Sequence, residues 1–166
     1  MQESSDKVLE WYQAYKSGLY GYIYSLLGNR SDTEDVIQSS FSALVLFGEK
    51  IHAIRNPKAY IFQVARNEAM RLFKQRGTPV VSLELLPNDP SDGRRQDKLK
   101  EARDAIANAL SLLPCEDREI IVLHVYEQLT FHEIAGVTGM FMAKVVTRYY
   151  RGLRRMKAFL ENEYED

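Results

Sequence analysis

The chain carries a single cysteine, Cys115, so no disulfide can close within it, and a lone thiol suits a reducing compartment. No apolar run approaches the roughly 20 residues that a membrane span needs. The N-terminal segment MQESSDK lacks the apolar core of a secretory leader. The expected location is therefore the cytoplasm, with no membrane insertion. Net charge is lacking too: 22 basic against 23 acidic residues leave −1, so only the local distribution of charge can speak to partners. Proline is scarce and uneven, with three of the five residues between positions 77 and 95.

Enzymatic signatures are missing as well. His132-Glu133 would open an HExxH zinc motif, but the second histidine would fall on Gly136. His52, His124 and Cys115 have no metal-ligand spacing, and no phosphate-binding glycine loop occurs. These absences lead us to expect a non-enzyme with no metal and no cofactor, in which Cys115 is an inert thiol.

What is present is helical. Hydrophobic residues make up 45% and charged residues 27%, the balance of a globular protein. After Ser4, Ser5 and Asp6, apolar and aromatic residues recur every three or four positions from Val8 to Leu27, and Gly28-Asn29 ends the pattern. Ser31-Asp32-Thr33-Glu34 has the form of a capping box opening a helix that runs to Gly48. Asn56-Pro57 starts a third helix, with asparagine as cap and proline at its first position, ending at Gly77. Residues 77–95 show no period and read as a tether. Beyond it, helices are expected over 96–113, through Ile120 to Val125, from the capping box Thr130–Glu133 to Gly139, and along the remaining chain. The fold class predicted is all-α: two small helical domains, 1–76 and 96–166, joined by a flexible linker.

Two segments concentrate charge of one sign. Lys144–Lys157, KVVTRYYRGLRRMK, holds six basic residues, and 140–160 contains no acid. At about 100° per residue, Val145, Tyr149, Gly152, Met156 and Leu160 share a stripe expected to be buried. Lys144, Arg148, Arg151 and Arg155 lie a quarter-turn away, while Val146, Thr147, Tyr150 and Arg154 face outward. Upstream, Ala135, Gly139 and Val145 have the spacing of a helix-turn-helix. Self-repulsion of such a stripe would be relieved by a phosphate backbone, which points to DNA. In the first domain, Ser31–Glu49 carries only acids. Lys50–Arg76 carries seven basic residues against Glu68, with Tyr60, Phe62 and Phe73 interleaved. Such a pair suggests a basic protein surface and a single-stranded nucleic acid as two partners, or two helices that simply attract each other.

Four segments, in order, resemble bacterial sigma factors of the sigma-70 family, the small two-domain extracytoplasmic-function type. SDTEDVIQSSF is similar to the family's D-x-E-D-x-x-Q-x-x-F, through Asp32, Glu34, Asp35, Gln38 and Phe41. NPKAYIFQVARNEA resembles P-x-x-W-L-x-x-I-A-R-N, through Pro57, Ala65, Arg66 and Asn67. Leu113, Pro114, Arg118, Leu123, Glu133, Ile134 and Ala135 match its L-P-x-x-x-R…E-I-A block, and AKVVTR falls on G-T-V-K-S-R.

The resemblance implies that Asp32, Glu34, Asp35, Gln38 and Phe41 dock on the β′ clamp helices of core RNA polymerase. Lys50, Arg55, Asn56, Lys58, Tyr60, Arg66, Asn67, Arg71 and Lys74 would recognise and open the −10 promoter element. Lys144, Val146, Thr147, Arg148, Tyr150, Arg151, Arg154 and Arg155 would contact the −35 element. Core polymerase, including its β flap, promoter DNA and an anti-sigma factor are the implied partners. The tether's 19 residues reach at most about 65 Å, comparable with about twenty base pairs at 3.4 Å each. Departures at Ser39, Tyr60-Ile61 and Arg71, and the shift of the basic residue from 146 to 144, imply an unusual promoter. The other readings are a helix-turn-helix regulator that is not a polymerase subunit and a helical interaction protein with no DNA role.

Overall fold

The computed structural model describes residues 2–76 and 93–165, which form seven α-helices and two short non-α turns, with no strand among the described residues. The first helix, α1, spans Gln2–Leu27 and starts before the expected Ser4-Ser5-Asp6 signal. Ser4 does not cap it: the residue is buried, and its hydroxyl donates to Glu49 Oε1 at 3.0 Å. The other end is as expected. Gly28 takes φ 74°, and its N–H reaches the Tyr24 carbonyl at 2.8 Å.

Helix α2, Arg30–Leu46, corrects the capping box read at Ser31. The cap is Asn29, two residues earlier, whose Oδ1 accepts the Asp32 N–H at 2.8 Å and whose Nδ2 donates to the Asp32 carboxylate at 2.8 Å. Asparagine is at least as good a cap as serine, and Asp32 then supplies the reciprocal arm three residues on. Glu34 instead accepts from Arg30 Nε at 3.0 Å. A 3-10 turn over Gly48–Ala53, not expected from the sequence, follows. Helix α3, Pro57–Arg76, begins as predicted: Asn56 Oδ1 accepts the Ala59 N–H at 3.2 Å.

The expected tether lies outside the described residues except for its last three, which belong to α4, Gly93–Ser111. Helix α5, Cys115–Ile121, follows Pro114 and runs on into a π turn, Val122–Tyr126. Helix α6, Phe131–Thr138, carries the predicted capping box: Thr130 Oγ1 accepts from Glu133 N at 3.1 Å, and Glu133 accepts from Thr130 N at 2.9 Å. Helix α7 spans Met142–Glu165.

The N-terminal lobe packs α1, α2 and α3 around Leu19, Tyr22, Ile23, Phe62 and Ala65, all fully enclosed. This core continues into the C-terminal lobe through Ile120, Leu123, Leu129 and Ile134. A second, smaller cluster of Leu110, Leu113, Ile121 and Met156 joins α4 and α5 to α7.

The apolar seam between the lobes is crossed by polar bridges. Glu119 of α5, only 2% exposed, accepts from Tyr22 Oη at 2.5 Å and from Arg66 at 2.5 and 3.3 Å. Burial, and then the Glu119 charge, push the Tyr22 phenol well above its ordinary value, so it stays a donor. Burial opposes the Arg66 charge, yet Glu119 holds its pKa above the usual guanidinium value. Toward the edge, Lys58 Nζ donates to the Glu127 carbonyl and Asn56 Nδ2 to Glu133 Oε2, both at 2.6 Å. Glu127 lies so close to α1 that a Cβ on Gly18 would come within 2.2 Å of its carboxylate.

Glu119→Ala leaves Arg66 and Tyr22 facing a buried gap with no acceptor. Breaking one side of a buried pair costs on the order of 3 kcal/mol. A fall of about 10 °C in melting temperature is therefore expected by calorimetry, and a shift under about 2 °C would contradict the bridge.

Candidate nucleic-acid and partner interfaces

The bihelical unit is built as the sequence predicted. Gly139 adopts φ 73°, and its N–H closes on the Ala135 carbonyl at 2.9 Å, which ends α6 and turns the chain. Val145 of α7 is fully buried beneath α6, and Tyr149 packs edge-on against Phe131 and His124. His124 Nδ1 lies 2.8 Å from the Leu129 carbonyl, so the aromatic group is fixed at both ends. Tyr150 faces outward, half-exposed. Gly152 faces α5 closely: a Cβ there would meet Ile121 Cδ1 at 2.7 Å, so the Ile121 side chain packs directly over the glycine.

The basic stripe of α7 turns out to have an intramolecular partner. Asp117 of α5 has no exposed surface and takes Arg148 Nη1 at 3.0 Å and Arg151 Nε and Nη2 at 3.1 and 2.8 Å. Arg155 approaches it at 3.7 Å. Neighbouring Glu116 pairs with Arg148 at 2.8 Å and Lys144 at 3.6 Å. Burial raises the Asp117 pKa, but the Arg151 and Arg148 hydrogen bonds outweigh it and hold the carboxyl below its ordinary value. Lys144, Arg148, Arg151 and Arg155 therefore hold α7 against α5, while Thr147, Tyr150 and Arg154 are exposed and Val146 is partly so. Pairing 31 to 34 residues away in the chain could not be read from an acid-free segment.

The candidate −10 residues divide into two groups. Asn67, Arg71 and Lys74 line an open groove on α3 with Arg66, Met70 and Gln75, and Arg71 also pairs with Glu68. Lys50 and Arg55 are exposed beside it in sequence on the 3-10 turn and the following loop. Asn56, Lys58 and Arg66 instead hold the C-terminal lobe through the bridges above. Tyr60 is half-buried, its ring 6.2 Å from Phe47.

On α2, Glu34, Asp35 and Gln38 are exposed along one face. Asp32 and Phe41 do not join them. Asp32 is 6% exposed and tied into the cap, and Phe41 is 7% exposed with its ring edge-on to Tyr12 at 5.1 Å. Both support this face from beneath. Between α1 and α2 runs an apolar groove of about 910 Å³, lined by Leu9, Tyr12, Ile37, Gln38, Phe41 and Val45 among others. Leu9, Tyr12, Val45 and the largely exposed Leu46 were not singled out from the sequence as surface residues; their signal is an apolar residue off the buried stripe of its own helix.

No group of three His, Cys, Asp or Glu side chains suited to a metal occurs among the described residues, and none of their helices is long and apolar enough to cross a membrane.

Residues 11–78 match the family described as Sigma-70 region 2, and residues 103–156 match Sigma-70, region 4. The chain is 29% identical over 156 residues to RNA polymerase sigma factor SigV of Bacillus subtilis, covering 90% of this chain and 88% of that one. It is 26% identical over 164 residues to ECF RNA polymerase sigma factor SigM of the same organism, covering 95% and 97%. Its fold is shared with sigma factor RpoE from Bartonella quintana, solved in complex with the anti-sigma factor NepR. The TM-score is 0.71 at 20% identity, over 97% of this chain and 98% of that one. It is shared also with CnrH in complex with the cytosolic domain of CnrY, at TM-score 0.61 and 23% identity, over 93% and 88%.

Asp117→Asn tests the internal role of the basic stripe. A carboxyl whose folded pKa is depressed stabilises fully above its unfolded value, about 3.9, and loses that contribution as pH falls through the folded value. The variant is expected to lose on the order of 2 kcal/mol at neutral pH. In urea titrations its deficit against the unaltered chain should close as pH falls from about 5 to below 3. A deficit independent of pH would contradict the assignment.

Proposed function

The chain belongs to the sigma-70 family of RNA polymerase sigma factors, with relatives in its extracytoplasmic-function group, and from that premise we propose which of its surfaces serves each task. As a sigma factor it binds core RNA polymerase and directs promoter-specific initiation. The bond-making chemistry belongs to the polymerase; this chain contributes binding, placement and strand opening, in the cytoplasm where transcription runs.

The exposed acids of α2, Glu34 and Asp35, together with Gln38 and the apolar rim of Leu9, Tyr12 and Val45, form the polymerase-docking face. An apolar groove with Glu34 and Asp35 exposed on its α2 side and Lys16 on its α1 side fits an amphipathic coiled coil whose basic residues face α2, the character expected of the β′ clamp helices. The α3 face of Asn67, Arg71 and Lys74, extended by Lys50 and Arg55, handles the −10 element. Helix α7 enters the major groove at the −35 element with Thr147, Tyr150 and Arg154 leading.

The observation that carries this reading is the division of the candidate −10 residues. Arg66 is held by the Glu119 carboxylate and Asn56 by that of Glu133, while Lys58 donates to the Glu127 backbone carbonyl with the Glu127 carboxylate 4.0 Å away; these oxygens of the C-terminal lobe stand in for phosphates. The closed arrangement is thus a resting form, and the lobes part when polymerase draws them to separate sites. An anti-sigma factor that holds the closed form belongs to the same proposal, since the Bartonella relative of like fold is bound to one.

Run-off transcription with core enzyme separates this role from that of a free-standing operator-binding regulator. Promoter-specific transcripts that require both chain and core are expected; tight binding to free duplex without such transcripts would overturn the assignment. Asp35→Arg places a cation on the docking face without touching the core. It is expected to lower recovery with core polymerase in pull-downs at least about tenfold, since like-charge juxtaposition costs several kcal/mol. Unchanged recovery would move docking off α2.

A further inference from the structure

We propose that the helix-turn-helix reads thymine methyl groups in the major groove through Phe141, flanked by Met142 and Tyr150, so that its base selection rests on apolar contact. This deepens the reading of α7 as the −35 helix and rests on it.

Phe141 is 86% exposed, second only to Leu46 among the large hydrophobic side chains of the described residues. It sits where a recognition helix meets DNA first. Its carbonyl accepts the Val145 N–H at 3.1 Å, which makes it the capping residue of α7, directly after the turn at Gly139. Residues at that end of a recognition helix approach base edges. Met142 follows it at 50% exposed, and the partly exposed Val146 and the half-exposed Tyr150 continue the same face at four-residue intervals. A continuous apolar row thus runs along the leading edge of α7.

The polar alternatives are engaged elsewhere. Guanines are read by Arg or Lys and adenines by Asn or Gln, each through two hydrogen bonds. The first two turns of α7 hold no Asn or Gln, and their basic residues, Lys144 and Arg148, are drawn back onto Glu116 and Asp117. What the leading edge offers is a phenyl ring, a thioether, two small or branched alkyl side chains, one threonine hydroxyl and a tyrosine. Of the groups in the major groove, the thymine 5-methyl is the one that an apolar surface distinguishes. The aspect of Phe141 is also unlike that of Phe131, which is only partly exposed and packed against His124 and Tyr149. A Phe141→Ser change removes the ring from solvent-exposed surface, so the fold has nothing to lose by it.

The test uses the full chain with core polymerase and a promoter recovered by selecting duplexes randomised across the −35 region with that holoenzyme. Each −35 thymine, on either strand, is then replaced in turn by deoxyuridine, which deletes only the methyl. At one or two positions the unaltered chain should lose about fourfold in run-off transcript, the worth of one buried methyl. Phe141→Ser should transcribe less from the thymine template and be indifferent to the deoxyuridine change. Placing 5-methylcytosine for cytosine at the same position should raise the transcript from the unaltered chain only. Equal sensitivity in both proteins, or none in the unaltered chain, overturns the proposal while promoter-specific transcription leaves the sigma role standing. A Phe141→Ser loss that is the same on every template places the ring against protein and also overturns it. Absence of any promoter-specific transcript sinks both readings.

Discussion

A carboxylate with 2% exposure has to be paired, and the pairing of Glu119 governs how this molecule is put together. Its partners, Tyr22 and Arg66, come from two helices of the other lobe. The bridge therefore fixes the C-terminal lobe against α1 and α3 in one register. Apolar contact between Phe62, Ile120 and their neighbours supplies attraction without direction; the charged bridge supplies the direction. If Arg66 serves the −10 element as proposed, the same contact that orders the fold also keeps that residue from DNA.

Two residues away, Asp117 makes a comparable demand on the opposite side. Positions 117 and 119 are about 200° apart on a helix, so their carboxylates leave α5 in nearly opposite directions. One gathers Arg148 and Arg151 of α7, and the other gathers Arg66 and Tyr22 of the N-terminal lobe. Helix α5 has only seven residues, yet it links the aim of α7 to the packing of the lobes. Pro114 before it and the π turn Val122–Tyr126 after it bound this short connector. The cost of single-sign charge on α7 is met within the molecule, so the exposed part of that helix is less basic than its sequence suggests.

Local signals were legible wherever local chemistry decides the outcome. Asn56-Pro57, the Thr130–Glu133 box, the turn at Gly139 and the buried Val145 all depend on residues within a few positions of each other, and each was found where the spacing put it. The cap of α2 was misplaced because Ser31 and Asn29 are both good caps, and the choice between them lies in the reach of Asp32. Phe41 and Asp32 carry the family motif yet are buried, so a motif match located the face without saying which of its residues touch a partner. The long-range pairs were not legible. Arg66 and Glu119 are 53 positions apart, and nothing in either segment names the other. The segregation of charge was visible in the sequence; its internal satisfaction became visible only in three dimensions.

The central claim is that this closed arrangement is a resting form whose lobes part on the polymerase. Energy transfer between dyes on exposed positions 63 and 157, with Cys115 replaced by serine, tests it most directly. High transfer in the free chain and a clear fall in the promoter-bound holoenzyme is the predicted result. A transcribing complex that keeps the transfer of the free chain would contradict the account.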